Sequence, residues 1–106
     1  MRLFQVGAVL AVVALCLTGA ARAQEDGKIL YETKCAMCHG KSGVAKPAAQ
    51  PSKNFDDPSF QNAWGVDAIV KITTDGKGKM PAYRTKLTPE QIRAVAAHVK
   101  TLGPAR

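Results

Sequence analysis

Cys35-Ala36-Met37-Cys38-His39 is the stretch of this chain on which the reading of the fold turns. Two cysteines three residues apart, followed at once by a histidine, form a C-x-x-C-H sequence, the attachment pattern of a c-type haem. The spacing has a geometric reason. Two thiols so placed reach the two vinyl groups on one edge of a porphyrin and can form thioethers. The adjacent histidine is then delivered beneath the ring, where its imidazole can bind iron. A thioredoxin-like redox pair would instead sit near a βαβ pattern, and no segment here alternates apolar and polar residues long enough for a strand. A structural zinc site wants four ligands, whereas His98 is the only histidine besides His39. A plain Cys35–Cys38 disulfide would close a very small, strained ring. Haem attachment is the reading that uses all three residues.

The flanking sequence predicts helices. Asp26 is placed to cap a helix over residues 26–38, with Gly27, Tyr31, Cys35 and Cys38 at i, i+4, i+8 and i+11 on one face. Gly40 supplies the freedom for the chain to leave it. Residues 41–56 hold Gly43, Pro47 and Pro51 without a period and read as loop. A short helix is marked by Asp57 as cap, Pro58 at the first helical position, Phe60 and Trp64 four apart, and Gly65 as its stop. A third helix is expected over residues 66–73, carrying Ile69, Val70 and Ile72, and then a tight glycine-rich loop from Asp75 to Pro81. Thr88-Pro89-Glu90-Gln91 reads as a capping box with proline at the first position. Ile92, Val95, Val99 and Leu102 recur at helical spacing behind it, and Gly103-Pro104 ends the run. The fold class is all-α, three to five helices wrapped around one covalent haem.

Residues 1–23 stand apart from this domain, which takes residues 24–106. Arg2 makes a positive start, residues 6–17 are almost wholly apolar, and Ala21-Arg22-Ala23 offers an A-x-A site. That is the pattern of a signal peptide cut between Ala23 and Gln24. The apolar run is shorter than the ~20 residues of a membrane-spanning helix, so no stable membrane insertion is expected after cleavage. Cys16 lies in this run behind Leu15, where a lipoprotein signal wants a small residue, and is read as leaving with the leader. Cys35 and Cys38 then remain as the only cysteines of a periplasmic or otherwise exported protein. Cleavage removes Arg2 and Arg22 from 15 basic side chains and none of 8 acidic ones, so the net charge falls from +7 to +5. That charge suits docking on an acidic protein patch, while scattered lysines and export argue against nucleic acid. A domain of about 80 residues buries only a modest core and needs a staple, which a covalent cofactor supplies.

These features resemble the class I c-type cytochromes, most of all their short bacterial members. The resemblance spans essentially all of residues 24–106. It rests on Gly27, Tyr31, Cys35-x-x-Cys38-His39, Gly78-Lys79-Met80-Pro81-Ala82-Tyr83 and the closing helix from Leu87-Thr88-Pro89-Glu90 to Leu102. The cysteine motif alone is shared by unrelated haem proteins. Its combination with a Met-Pro loop and a terminal helix is much more specific. The resemblance implies haem c on Cys35 and Cys38, with His39 and Met80 as axial ligands of the iron. A thioether is a soft ligand suited to haem iron, and His/Met ligation raises the reduction potential. Met37 sits inside the motif and cannot reach the opposite face, so His98 is the rival to Met80.

In the family the position of His98 is usually aromatic and packs on the first helix, which implies contact with Gly27 and Tyr31. Trp64 and Tyr83 each join a polar handle to an apolar body, suited equally to a haem propionate or to the core. Phe55, Phe60, Ile69 and Leu87 are expected in the pocket wall. Pro47 and Pro51 are both candidates for the residue whose carbonyl supports His39. Lys41, Lys46, Lys53, Lys77, Lys79 and Lys86 would flank the haem edge and steer acidic redox partners. The implied function is a monomeric, non-enzymatic electron carrier whose iron cycles between Fe(II) and Fe(III). Two alternatives compete with it. One is a haem enzyme or gas sensor with an open distal position. The other is a dedicated cytochrome subunit of a larger respiratory or dehydrogenase complex.

Overall fold

The structure is a computed structural model that describes residue 19 and residues 22–49 and 52–103. The apolar run of the expected leader, Cys16 included, lies outside these residues. Among the described residues the chain forms four helices: α1 over residues 22–39, α2 Pro58–Ala63, α3 Val66–Asp75 and α4 Pro89–Lys100. A 3-10 turn, Pro47–Ala49, interrupts the loop after α1. The only β-type pairing among them is a single bridge between Lys77 and Met80.

The first helix departs from expectation in two ways. It begins before Asp26, which therefore lies inside the helix and does not cap it. One turn, Tyr31–Cys35, is widened to a π-helix, in which the Ala36 N–H reaches back to the Tyr31 carbonyl. The widened turn rotates everything after it. Gly27, Tyr31 and Ala36 are buried, Cys35 is half-buried and Cys38 is exposed, so the single face anticipated from even helical spacing is broken. Such π-turns are rare and frequently mark functional sites. Gly40 then ends α1 at φ 77°, and a Cβ there would collide with the Val44 carbonyl oxygen.

The other helices are set by the caps that their sequences announce. Asp57 accepts from the Ser59 N–H at 2.8 Å, with Pro58 at the first position of α2. That helix ends at Ala63, and its free carbonyls are met by a distant cation. The Lys100 ammonium donates to Gln61 O at 2.5 Å and Trp64 O at 2.8 Å. A cation at a helix C-terminus satisfies orphan carbonyls and complements the dipole. Helix α3 continues two residues past Thr73 and stops at Gly76, φ 73°. In α4 the capping box closes reciprocally: Gln91 N–H to Thr88 Oγ1 at 3.1 Å, Thr88 N–H to Gln91 Oε1 at 2.8 Å.

The core forms where α4 crosses α1. Val95, Ala96 and Val99 pack with Tyr31, Ala36, Phe60 and Ile69. Gly27 faces the Ala94 backbone so closely that an added Cβ would meet its carbonyl. The Tyr31 ring lies 5.1 Å from that of His98, as the family resemblance implied. Burial lowers the pKa of His98 below its ordinary value, with Glu32 opposing the shift and Lys28 adding to it.

Two outcomes follow from this crossing. Gly27→Ala should cost about 1–3 kcal/mol in chemical denaturation, the range for forcing extra volume into a packed contact. For His98, the unfolded chain binds a proton near pH 6.5 that the fold resists. Stability therefore falls as pH drops through that value, because the unfolded state then holds more protons. The melting temperature should fall between about pH 7.5 and 5.5, and His98→Phe should flatten that slope.

Candidate functional site

The C-x-x-C-H segment occupies the last turn of α1. Cys35 and Cys38 are not joined to each other. Burial pushes the Cys35 thiol up to about 11, with Lys34 opposing and Cys38 adding to the shift. His39 is half-buried, with its ring stacked on Phe55 at 4.7 Å and 24°. Burial lowers its pKa, which favours the neutral imidazole that binds metals. The His39 Nδ1 lies 3.5 Å from Ser52 Oγ. A partner on the second ring nitrogen is what orients a ligating imidazole. That partner is a serine hydroxyl, not the carbonyl of Pro47, which opens the 3-10 turn; Pro51 lies outside the described residues.

Two contacts hold this end of α1 in place. Tyr31, fully buried, donates its hydroxyl to Gly40 O at 2.6 Å and so fixes the exit after His39. Phe55 bridges outward from His39 to Phe60 at 4.8 Å and to Tyr31 at 6.4 Å. Of the four residues expected in a pocket wall, Phe55 stacks directly on His39, while Phe60 and Ile69 share one cluster with Ala36 of the motif. Phe60 and Ile69 belong to the helical core, and Leu87 is buried beneath the start of α4.

Met80, half-buried, sits in a two-way turn: Lys77 N–H to Met80 O at 3.1 Å, and Met80 N–H to Lys77 O at 3.0 Å. Glycines make the turn possible. A Cβ on Gly76 would meet Met80 O at 2.7 Å, and Gly78 adopts φ 59°. The returning segment is tied to α3 by Tyr83 N–H to Thr73 O at 3.0 Å and by an Asp75–Arg84 ion pair. The Tyr83 hydroxyl then crosses to α1 and donates to Lys34 O at 3.3 Å. The structure thus ties the segment after Met80, through Tyr83, to the residue preceding Cys35. Trp64 stacks on Phe60 at 5.7 Å and 13°.

A groove of ≈ 370 Å³ opens at the foot of this turn, lined by Trp64, Ala68, Ile72 and Gly76 with Lys71, Asp75 and Lys77. Trp64, Ala68, Ile72 and Gly76 recur every four residues, so helical spacing marks this stripe, which sequence reasoning passed over for Ile69. The residues present fit a covalently held porphyrin. Two free thiols, an imidazole whose second nitrogen meets a hydroxyl, and a thioether in the loop tied to the same helix are the donors that it needs. Among the described residues no three His, Cys, Asp or Glu side chains converge as a metal cluster.

Comparison with known proteins agrees with that chemistry. Residues 22–99 match the family described as cytochrome C oxidase, cbb3-type, subunit III. A cytochrome c6 of Rippkaea orientalis is 40% identical over 74 residues, covering 69% of this chain and 65% of that protein. The cbb3-type cytochrome c oxidase subunit FixP of Azorhizobium caulinodans is 35% identical over 92 residues, covering 82% of this chain but only 31% of its own length. Among solved structures, cytochrome c6C from Synechococcus sp. PCC 7002 has a TM-score of 0.62 at 33% identity, covering 72% of this chain and 92% of that one. The KustC0563 c-type cytochrome has a TM-score of 0.70 at 26% identity over 73% of this chain and 96% of its own. The chain belongs to the class I c-type cytochromes, within the family of the cbb3-type subunit III match. Its cofactor is haem c, and its single C-x-x-C-H sequence accounts for one.

Phe55 joins the motif to the core. Phe55→Ala should lower stability by about 2–4 kcal/mol, near the low end for core phenylalanine truncation because the ring is only half-buried. Thermal melts followed by absorbance and by circular dichroism should both register the loss.

Proposed function

We propose that the chain is an exported, single-haem electron carrier in which Cys35 and Cys38 form the thioethers and His39 and Met80 are the axial ligands. The observation that carries this reading is the tie of Tyr83, three residues after Met80, to α1 immediately before the attachment segment. The haem supplies a one-electron Fe(II)/Fe(III) couple when bound. The protein's part is to hold both ligands and keep water from the iron. His39 is held by Phe55 stacking and by the Ser52 hydroxyl. Met80 is held by its glycine turn. With both axial positions filled, no site is left for a substrate, so the protein is a carrier and not an enzyme.

The surface supports docking on a redox partner with an acidic patch. Lys46, Lys53, Lys77, Lys79 and Lys86 are exposed and take part in none of the ion pairs among the described residues. Lys41 makes only a loose 3.9 Å pair with Glu32. Such a surface raises the encounter rate with an acidic partner in a salt-dependent way. Export rests on the leader read in residues 1–23, with a mature domain of residues 24–106. No helix of the described residues is long and apolar enough to cross a membrane. The match to subunit III and to FixP favours one second reading, in which the same domain serves a single dedicated complex. Copurification with other subunits would select it.

The ligand assignment is tested by optical spectroscopy. The ferric protein should show the weak near-infrared band of methionine–iron ligation and resist carbon monoxide when reduced. Met80→Ala should abolish the band, open the iron to exogenous ligands and lower the reduction potential. A high-spin wild-type haem that binds carbon monoxide readily would instead indicate an enzyme or gas sensor.

A further inference from the structure

Each of the chain's two tyrosines gives its hydroxyl to a backbone carbonyl at one end of the attachment segment. Tyr31 serves Gly40 O at 2.6 Å, just after His39, and Tyr83 serves Lys34 O at 3.3 Å, just before Cys35. The two bonds differ in what they join. Tyr31 links α1 to its own exit. Tyr83 links α1 to the Met80 loop, and among the described residues no other hydrogen bond or ion pair does so.

Every other tie of that loop runs to α3 or within the loop. Tyr83 N–H donates to Thr73 O, Asp75 pairs with Arg84, and Lys77 and Met80 bond to each other. Lys86 and Leu87 N–H groups both donate to Tyr83 O at 3.0 Å. The loop therefore moves with α3 and is fastened to α1 at one atom. Lys34 O is well placed as acceptor, since it lies in the widened turn Tyr31–Cys35, where the helical hydrogen-bond register is displaced. The Lys86 ammonium lies 5.4 Å from the Tyr83 ring centroid. Between Met80 and Tyr83 stand only Pro81, whose ring fixes φ, and Ala82. A shift at Tyr83 is thus passed on to Met80.

We infer that the Tyr83 hydroxyl is a latch that positions the Met80 loop against the attachment helix and sets how often Met80 leaves the iron. The inference rests on the proposed Met80 ligation. The bond is exposed, so removing the hydroxyl leaves the core intact.

The test is imidazole binding to the ferric holoprotein, followed by the near-infrared band, in wild type, Tyr83→Phe, Met80→Ala and Arg93→Gln. Arg93 pairs with Asp67 between α4 and α3, away from the loop. Tyr83→Phe should bind imidazole about fivefold more tightly than wild type, the equivalent of one ordinary hydrogen bond lost from the closed state. Met80→Ala should bind far more tightly still, and Arg93→Gln should match wild type. Tyr83→Phe equal to wild type, with Met80→Ala still much tighter, overturns the latch alone. Wild type and Met80→Ala equal to each other overturns the ligand assignment and the latch with it.

Discussion

The carbonyl oxygen of Ala94 lies where any side chain on residue 27 would have to go. This close approach of α1 and α4 is the contact on which the rest of the molecule depends. It lets Tyr31 become fully buried and rest against His98. Tyr31 is in turn at the right depth to reach Gly40 O, which anchors the backbone just beyond His39. From the same crossing, Lys100 at the end of α4 reaches the carbonyls that close α2. A chain with so small a core gains order from a few bonds of this long-range kind.

The attachment segment is held at both ends by tyrosine hydroxyls and from the side by Phe55. The consequences are electrostatic as well as mechanical. Burial lowers the pKa of the His39 imidazole and raises that of the Cys35 thiol. Both groups are thereby kept in uncharged forms at neutral pH, a state suited to an apolar cofactor bed. Met37, 76% exposed, marks the outer side of the turn.

Local chemistry made much of this legible in the amino-acid sequence. Pro58 and Pro89 mark helix starts because proline lacks the N–H that a first turn leaves unused. Thr88 and Gln91 announce their capping box from three residues apart, and Gly76 stops α3 where the glycine-rich loop begins. The family resemblance placed His98 on Tyr31, and the structure has it there. What stayed hidden depends on tertiary contact. The π-turn at Tyr31–Cys35 has no signature in residue spacing, and it moved Ala36 inward and Cys38 outward. Lys100 acts on carbonyls 39 and 36 residues away, which no local pattern encodes. Ser52, and not the candidate Pro47, meets the His39 ring nitrogen, because the loop's path decides what faces it; the other candidate, Pro51, lies outside the described residues.

The central claim, covalent haem on this motif, is tested most directly by intact mass under denaturing conditions. The protein should be taken from the periplasm of a host with haem-attachment machinery and compared with Cys35→Ser and Cys38→Ser. The account predicts one haem per chain that survives denaturation, an N-terminus at Gln24, and a thioether lost in each variant. A wild-type chain whose mass equals that of the polypeptide alone would contradict it.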